Sequence, residues 1–194
     1  MLTAVRTVVF AGLLFLPSQS GVGAVQPSTD TSALTFLGFR AGARLEELSL
    51  RLRNGVGGTL RCRQSRADQR VSECRGSLQG VEGEPPVELW ISAIDSLAGV
   101  MTLSATVNSA QLDSWRGLLE DRYGRVATRV QGAQRMLQWV RQGRMIRLTW
   151  RTEKRAQVAS VSLVDGHVLD SWGRTLAPGR SSAINPAQPR SRTR

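Results

Sequence analysis

The sequence predicts an α+β fold: antiparallel sheet, as one continuous sheet or two abutting ones, carrying two helices. Three observations lead there. Two segments place apolar residues at helical spacing, several short segments alternate apolar and polar residues with period two, and polar or glycine-containing turns link them. The predicted order is helix, four strands, helix, four strands, a pseudo-repeat in layout. Hairpin-linked strands with helices set apart from them pack as an antiparallel sheet with helices on one face.

The first helix spans 41–53, where Leu45, Leu48 and Leu52 fall on one face. Glu46 and Glu47 in the early turns, and Arg51 and Arg53 in the last, complement the helix dipole. Asn54-Gly55 then stops it. Cys62 and Cys74 follow in two extended segments, 59–63 and 71–76, that read as a hairpin. Two cysteines so placed in an oxidising compartment predict a disulfide, worth roughly 3 kcal/mol through loop closure.

After the breaker Glu84-Pro85-Pro86 the chain alternates. Val87, Leu89, Ile91 and Ala93 oppose Glu88 and Ser92; past Asp95-Ser96, Met101, Leu103, Ala105 and Val107 oppose Thr102, Ser104 and Thr106. That is a second hairpin. Asn108 or Ser109 caps the second helix, which runs to Tyr123; with Asn108 as the cap, Gln111 falls at N3. Leu112, Trp115, Leu119 and Tyr123 form its buried stripe, and Gly124 is a natural C′ residue. Strands are expected at 125–130, 135–142, 144–152 and 157–164, with Gln142-Gly143 as a tight turn. Asp165-Gly166 reads as a hairpin turn into a short return strand at Val168-Leu169.

The N-terminus decides the expected compartment. Arg6, an apolar run from Val8 to Leu16, and Val22-Gly23-Ala24 form the three regions of a secretory signal peptide cleaved near Ala24. Nine apolar residues are too few to span a bilayer as a helix. The expected organisation is signal peptide 1–24, linker 25–35, α+β domain 36–173 with weak repeats 41–107 and 108–170, and a disordered basic tail 174–194. Lys154 is the only lysine among 26 basic residues, a bias typical of GC-rich genomes; with the signal it points to a bacterial periplasmic or secreted protein.

Composition narrows the chemistry. One His and two Cys exclude a Cys/His metal cluster and argue against a His-based triad, so neither cofactor nor metal is expected. The +11 charge suggests an anionic partner, yet residues 25–173 hold 20 basic against 15 acidic groups. The rest lies in the signal segment and the tail, and an exported protein meets little nucleic acid.

The Cys-bridged hairpin (Cys62, Cys74), the helix ending in Tyr123-Gly124 and strands with apolar Trp139 and Trp150 follow one another in a tandem helix-plus-four-strand layout. This resembles the β-lactamase-inhibitory-protein group of small exported bacterial domains over about residues 36–170. The resemblance implies an α+β fold, and it rests on layout more than motif. That group carries one disulfide per repeat, whereas the second repeat here has no cysteine. No inhibitory-loop residues carry over.

The expected binding residues are Arg147, Arg151, Trp139 and Arg141. Met145, Arg147, Thr149 and Arg151 share one face of a strand opposite Ile146, Leu148 and Trp150, and several guanidiniums on one face bind carboxylates or phosphates bidentately. The bland alternative is a solvated face whose arginines block edge aggregation. Trp139, flanked by Arg135 and Arg141, reads as partly exposed, an Arg–Trp–Arg surface; the alternative is a Trp covering the sheet edge. Trp90 alternates opposite Leu89 and Ile91 and covers the other sheet face, while Trp172 tucks the tail back. His167 with Asp165 or Asp170 forms an imaginable base-plus-orienter pair, though no nucleophile accompanies it.

Three functions compete. The leading one is a non-enzymatic exported module that binds a protein or envelope component through the Arg/Trp-bearing sheet face. The second is a polyanion or membrane-surface binder acting through the basic tail, and the third a hydrolase using His167.

Overall fold

The computed structural model describes residues 33–56, 58–79, 86–153 and 156–176. The expected signal peptide, 1–24, lies outside that set, as does the expected tail, 174–194, beyond residue 176.

The elements are β1 (Thr35–Phe36), β2 (Phe39–Arg40), α1 (Leu45–Val56), β3 (Arg61–Gln64), β4 (Val71–Leu78), β5 (Val87–Ile94) and β6 (Leu97–Val107). Then come α2 (Ser109–Tyr123), β7 (Arg129–Gln131), β8 (Gln134–Arg141), β9 (Arg144–Glu153), β10 (Ala156–Asp165) and α3 (Gly166–Leu176). Strands β3 to β10 form one continuous antiparallel sheet in the order β3-β4-β5-β6-β10-β9-β8-β7. The two groups of four meet along β6 and β10, where Val107 opposes Gln157 and Val100 opposes Val164.

Period-two alternation gives the sheet one apolar face. A row of directly opposed residues crosses it: Cys74, Ile91, Met101, Leu163, Ile146 and Trp139, all buried. Leu48 and Leu52 of α1 and Leu112, Trp115, Leu119 and Tyr123 of α2 close over it in the same core. The tight turns follow their residues. Asp95-Ser96 and Gln142-Gly143 have both φ angles positive, 48° and 66°, then 47° and 72°, the sense that matches strand twist.

The α2 cap is as expected. Asn108 accepts a hydrogen bond from the Gln111 backbone at 2.8 Å, and the Gly124 N–H bonds back to Glu120 O. Cys62 and Cys74 are disulfide-bonded across directly opposed positions of β3 and β4. Replacing both by Ala is expected to cost about 3 kcal/mol, read as a shift of the urea midpoint relative to the oxidised protein.

The structure corrects the sequence reading at four places. There are three helices among the described residues, because the segment expected as a return strand at Val168-Leu169 is the start of α3. Asp-Gly serves a helix start as readily as a hairpin turn, and here the Asp165 carboxylate is buried. Its Oδ1 accepts from the backbone N–H groups of His167 (2.9 Å) and Val168 (3.3 Å). Val168 and Leu169 then pack on Gly99, where a Cβ would come within 3.0 Å of Leu169 Cδ2. Second, the helix carries on through 174, where the tail was expected to begin.

Third, the expected linker ends sooner: Ala33 and Leu34 are buried, and β1 pairs with β2. The Tyr123 hydroxyl accepts from Thr35 N at 2.6 Å and donates to Thr35 O at 2.8 Å, tying that hairpin to α2. Fourth, two element starts move. Residues 42 and 43 bond to β6 instead of opening α1, with Gly42 N to Ala98 O at 2.7 Å. Gly42 has φ +82°, and a Cβ there would lie 2.5 Å from Asp165 Oδ2. Strand β7 begins at Arg129, not 125.

Candidate functional site

The second face of the sheet is polar. No described helix covers its middle, and α3 contacts β5, β6 and β9 at the end where Ile94 and Gly99 lie. Opposed residues form one row across seven strands of this face: Arg61, Arg75, Trp90, Thr102, Ser162, Arg147 and Gln138. At ~4.8 Å per strand the row is about 29 Å wide. Hydroxyls fill its centre, with Thr102 and Ser162 3.3 Å apart. Arg61 and Arg75 stand at one end, and Arg147 one strand in from Gln138 at the other.

Arg147 donates from Nε (3.0 Å) and Nη2 (2.7 Å) to Gln138 Oε1. A neutral acceptor holds the guanidinium in place, and among the described residues it has no ion pair. Arg151, on the same face, pairs with Glu153. Arg63 has Glu73 at 4.0 Å. Arg61 and Arg75 are exposed and make no ion pair or side-chain hydrogen bond among the described residues.

The four sequence-derived residues divide between the two faces. Arg147 and Arg151 lie on the polar face. Trp139, expected to be partly exposed, is 4% exposed in the core, opposed to Ile146. Its Nε1–H donates to Gly124 O at 2.6 Å, and its ring tilts against Tyr123. Arg141 follows two positions on: it donates to Tyr123 O at 3.0 Å and covers the Tyr123 ring at 5.4 Å. The reason is α2, whose C-terminus lies over this end of β8 and turns an expected edge into core. Trp90, half-exposed on the polar face, occupies the aromatic position that Trp139 does not.

The His167 ring lies exposed, with Nε2 3.0 Å from Gln142 O. Asp165 meets the His167 backbone, not its ring, and accepts from Arg144 Nε at 2.9 Å. The base-plus-orienter pair is not assembled. Among the described residues no cluster of three His, Cys, Asp or Glu is placed to hold a metal, and no helix is long and apolar enough to cross a membrane.

One carboxylate anchors α3 at its far end. Asp68, in the β3–β4 turn, accepts from the Arg70 side chain, from the Trp172 indole (2.8 Å) and from Arg70 N. These bonds, the Arg70 one foremost, hold its carboxyl well below the usual carboxylate range. A folded pKa depressed below the unfolded ~3.9 gives stability that is present above that value and lost only as pH falls through the lower folded one. The Trp172 indole N–H resonance is therefore expected to stay constant from pH 7 to pH 3. A titration step centred near pH 4 would contradict the anchor.

Sequence reasoning missed Arg61 and Arg75 as site residues. The cysteines paired β3 with β4, but the place of Arg75 beside Trp90 depends on β4 also meeting β5, which no spacing in the chain encodes. Alternation did put Trp90 on the second face. Comparisons of the chain with family models, with curated proteins and with solved structures returned no match.

Proposed function

We propose that this protein is an exported, non-enzymatic binding module of the bacterial envelope that recognises a protein partner through the polar face of its sheet. One observation supports it most: no described helix covers the middle of the face, which carries a directly opposed row with Arg61 and Arg75 at one end, Arg147 one strand in from the other, and Trp90 beside Arg75. Edge protection accounts for arginines on β3. It does not account for Arg147, which lies on β9, two strands in from the sheet edge at β7. Exposed arginines and a half-exposed tryptophan are residue types enriched where proteins meet.

The cleaved signal at 1–24 and the disulfide belong to the same reading, an exported chain in an oxidising compartment. So does the layout, a helix and four strands followed by a helix and four strands, which we read as a tandem repeat resembling the β-lactamase-inhibitory-protein group.

A photo-crosslinking amino acid in place of Thr102, at the centre of the row, tests the reading in exporting cells. The expected result is a protein adduct that the same group in place of Asp113, on exposed α2, does not give. Adding Arg147→Glu and Arg151→Glu should cut that adduct about fivefold or more. Equal adducts from both positions, or an adduct with an anionic glycan or lipid in place of protein, would overturn it.

A further inference from the structure

The other end of the row carries more than the sequence suggested. Arg61 and Arg75 are directly opposed on β3 and β4, and Arg75 is directly opposed to Trp90 on β5. Opposed side chains have Cβ atoms about 5 Å apart, and like charges so placed destabilise a sheet. The arginine on the next rung of this face, Arg63, has Glu73 opposite it. At Arg61 and Arg75 the directly opposed residues are an arginine and Trp90, and among the described residues neither guanidinium has an ion pair.

A pocket of about 360 Å³ opens there, lined by Arg61, Arg75, Ser77, Glu88, Trp90 and Ser104 among others. Glu88 is its one carboxylate among the described residues. It opposes Ser77, which places it diagonally from Arg75, and the two form no ion pair among the described residues. Two guanidinium forks, an indole wall and hydroxyls make a receptor for a carboxylate on a short apolar stem.

We propose that this pocket is a carboxylate-recognition subsite that seats an Asp or Glu side chain from an acidic loop of the protein partner, a proposal that rests on the docking role of the face. Charge complementarity selects that occupant. A loop that places one carboxylate between Arg61 and Arg75 also lies across the hydroxyls of Thr102 and Ser162 toward Arg147, and an isolated small anion fills only one end. Glu88 tunes the site as an internal competitor: its charge lowers the potential that Arg61 and Arg75 present.

The test titrates the full-length oxidised protein with a fluorescent hexaglutamate peptide at low and physiological salt, with sulfate as the free-anion arm. Arg61→Gln with Arg75→Gln should weaken peptide binding about tenfold. The charge-matched control Arg53→Gln, on α1, should change it less than about twofold. Glu88→Gln should strengthen it about threefold, and sulfate should bind far more weakly than the peptide. Equal losses in the control and the double variant, no gain in Glu88→Gln, or sulfate matching the peptide would each overturn the subsite. If those losses occur while the Thr102 crosslink continues to depend on Arg147 and Arg151, the subsite falls and the docking face stands. If the peptide responds as expected but Thr102 yields no protein adduct, the docking face falls and the acidic-loop assignment with it.

Discussion

Asp165→Ala is expected to lower the stability of the fold by about 3–4 kcal/mol, the sum of two losses. The carboxylate is 2% exposed. One oxygen accepts Arg144 Nε at 2.9 Å, and the other accepts the first backbone N–H groups of α3. Withdrawing it takes an acceptor from a guanidinium that is 23% exposed and so only partly rehydrated. It also leaves helix donors without a cap. Asp165→Asn keeps a capping oxygen without the charge and should recover about half of the loss. Urea midpoints of the three proteins check this; an alanine variant within 1 kcal/mol of the parent would show that the cap and ion pair contribute little.

Trp139→Ala is expected to cost about 3–5 kcal/mol, the range for truncating a buried large aromatic. Trp139→Phe keeps a ring against Tyr123 but gives up the bond from Nε1 to Gly124 O, and should cost about 1–2 kcal/mol. Neither change reaches the polar face, so partner crosslinking from Thr102 by whatever fraction remains folded should be unaltered. Trp90→Ala should show the reverse: a small stability change and weakened binding. Binding lost in Trp139→Phe with stability intact would restore Trp139 as a contact residue.

These two residues show where sequence reading stops. Asp165-Gly166 has one local signature and two structural uses, and the choice between hairpin turn and helix cap depends on whether the next few residues are buried. Val168 and Leu169 find Gly99 and Ile94, residues about seventy positions earlier in the chain. Trp139 sits on a strand whose alternation is plain in the sequence. Which of its two faces is inward depends on α2, whose end passes over it.

What the sequence determined by itself is local. Periodicity placed β5 residue for residue and β6, β8, β9 and β10 to within two residues, capping chemistry placed the start and end of α2, and cysteine usage predicted the bond that joins β3 to β4. Alternation also separated Arg147 and Arg151 from the core face. Each of these arises from interactions within a few residues or, for the disulfide, from the placement of two cysteines on a local hairpin. Only the tertiary structure decided that the eight strands are one sheet, that β6 meets β10, and that α1 and α2 cover the same face. Those decisions bring Arg61, Arg75, Trp90 and Arg147 into one row. The physical reason is that strand order is set by burying the two helices over a common apolar face, a whole-chain quantity that neither spacing nor propensity carries.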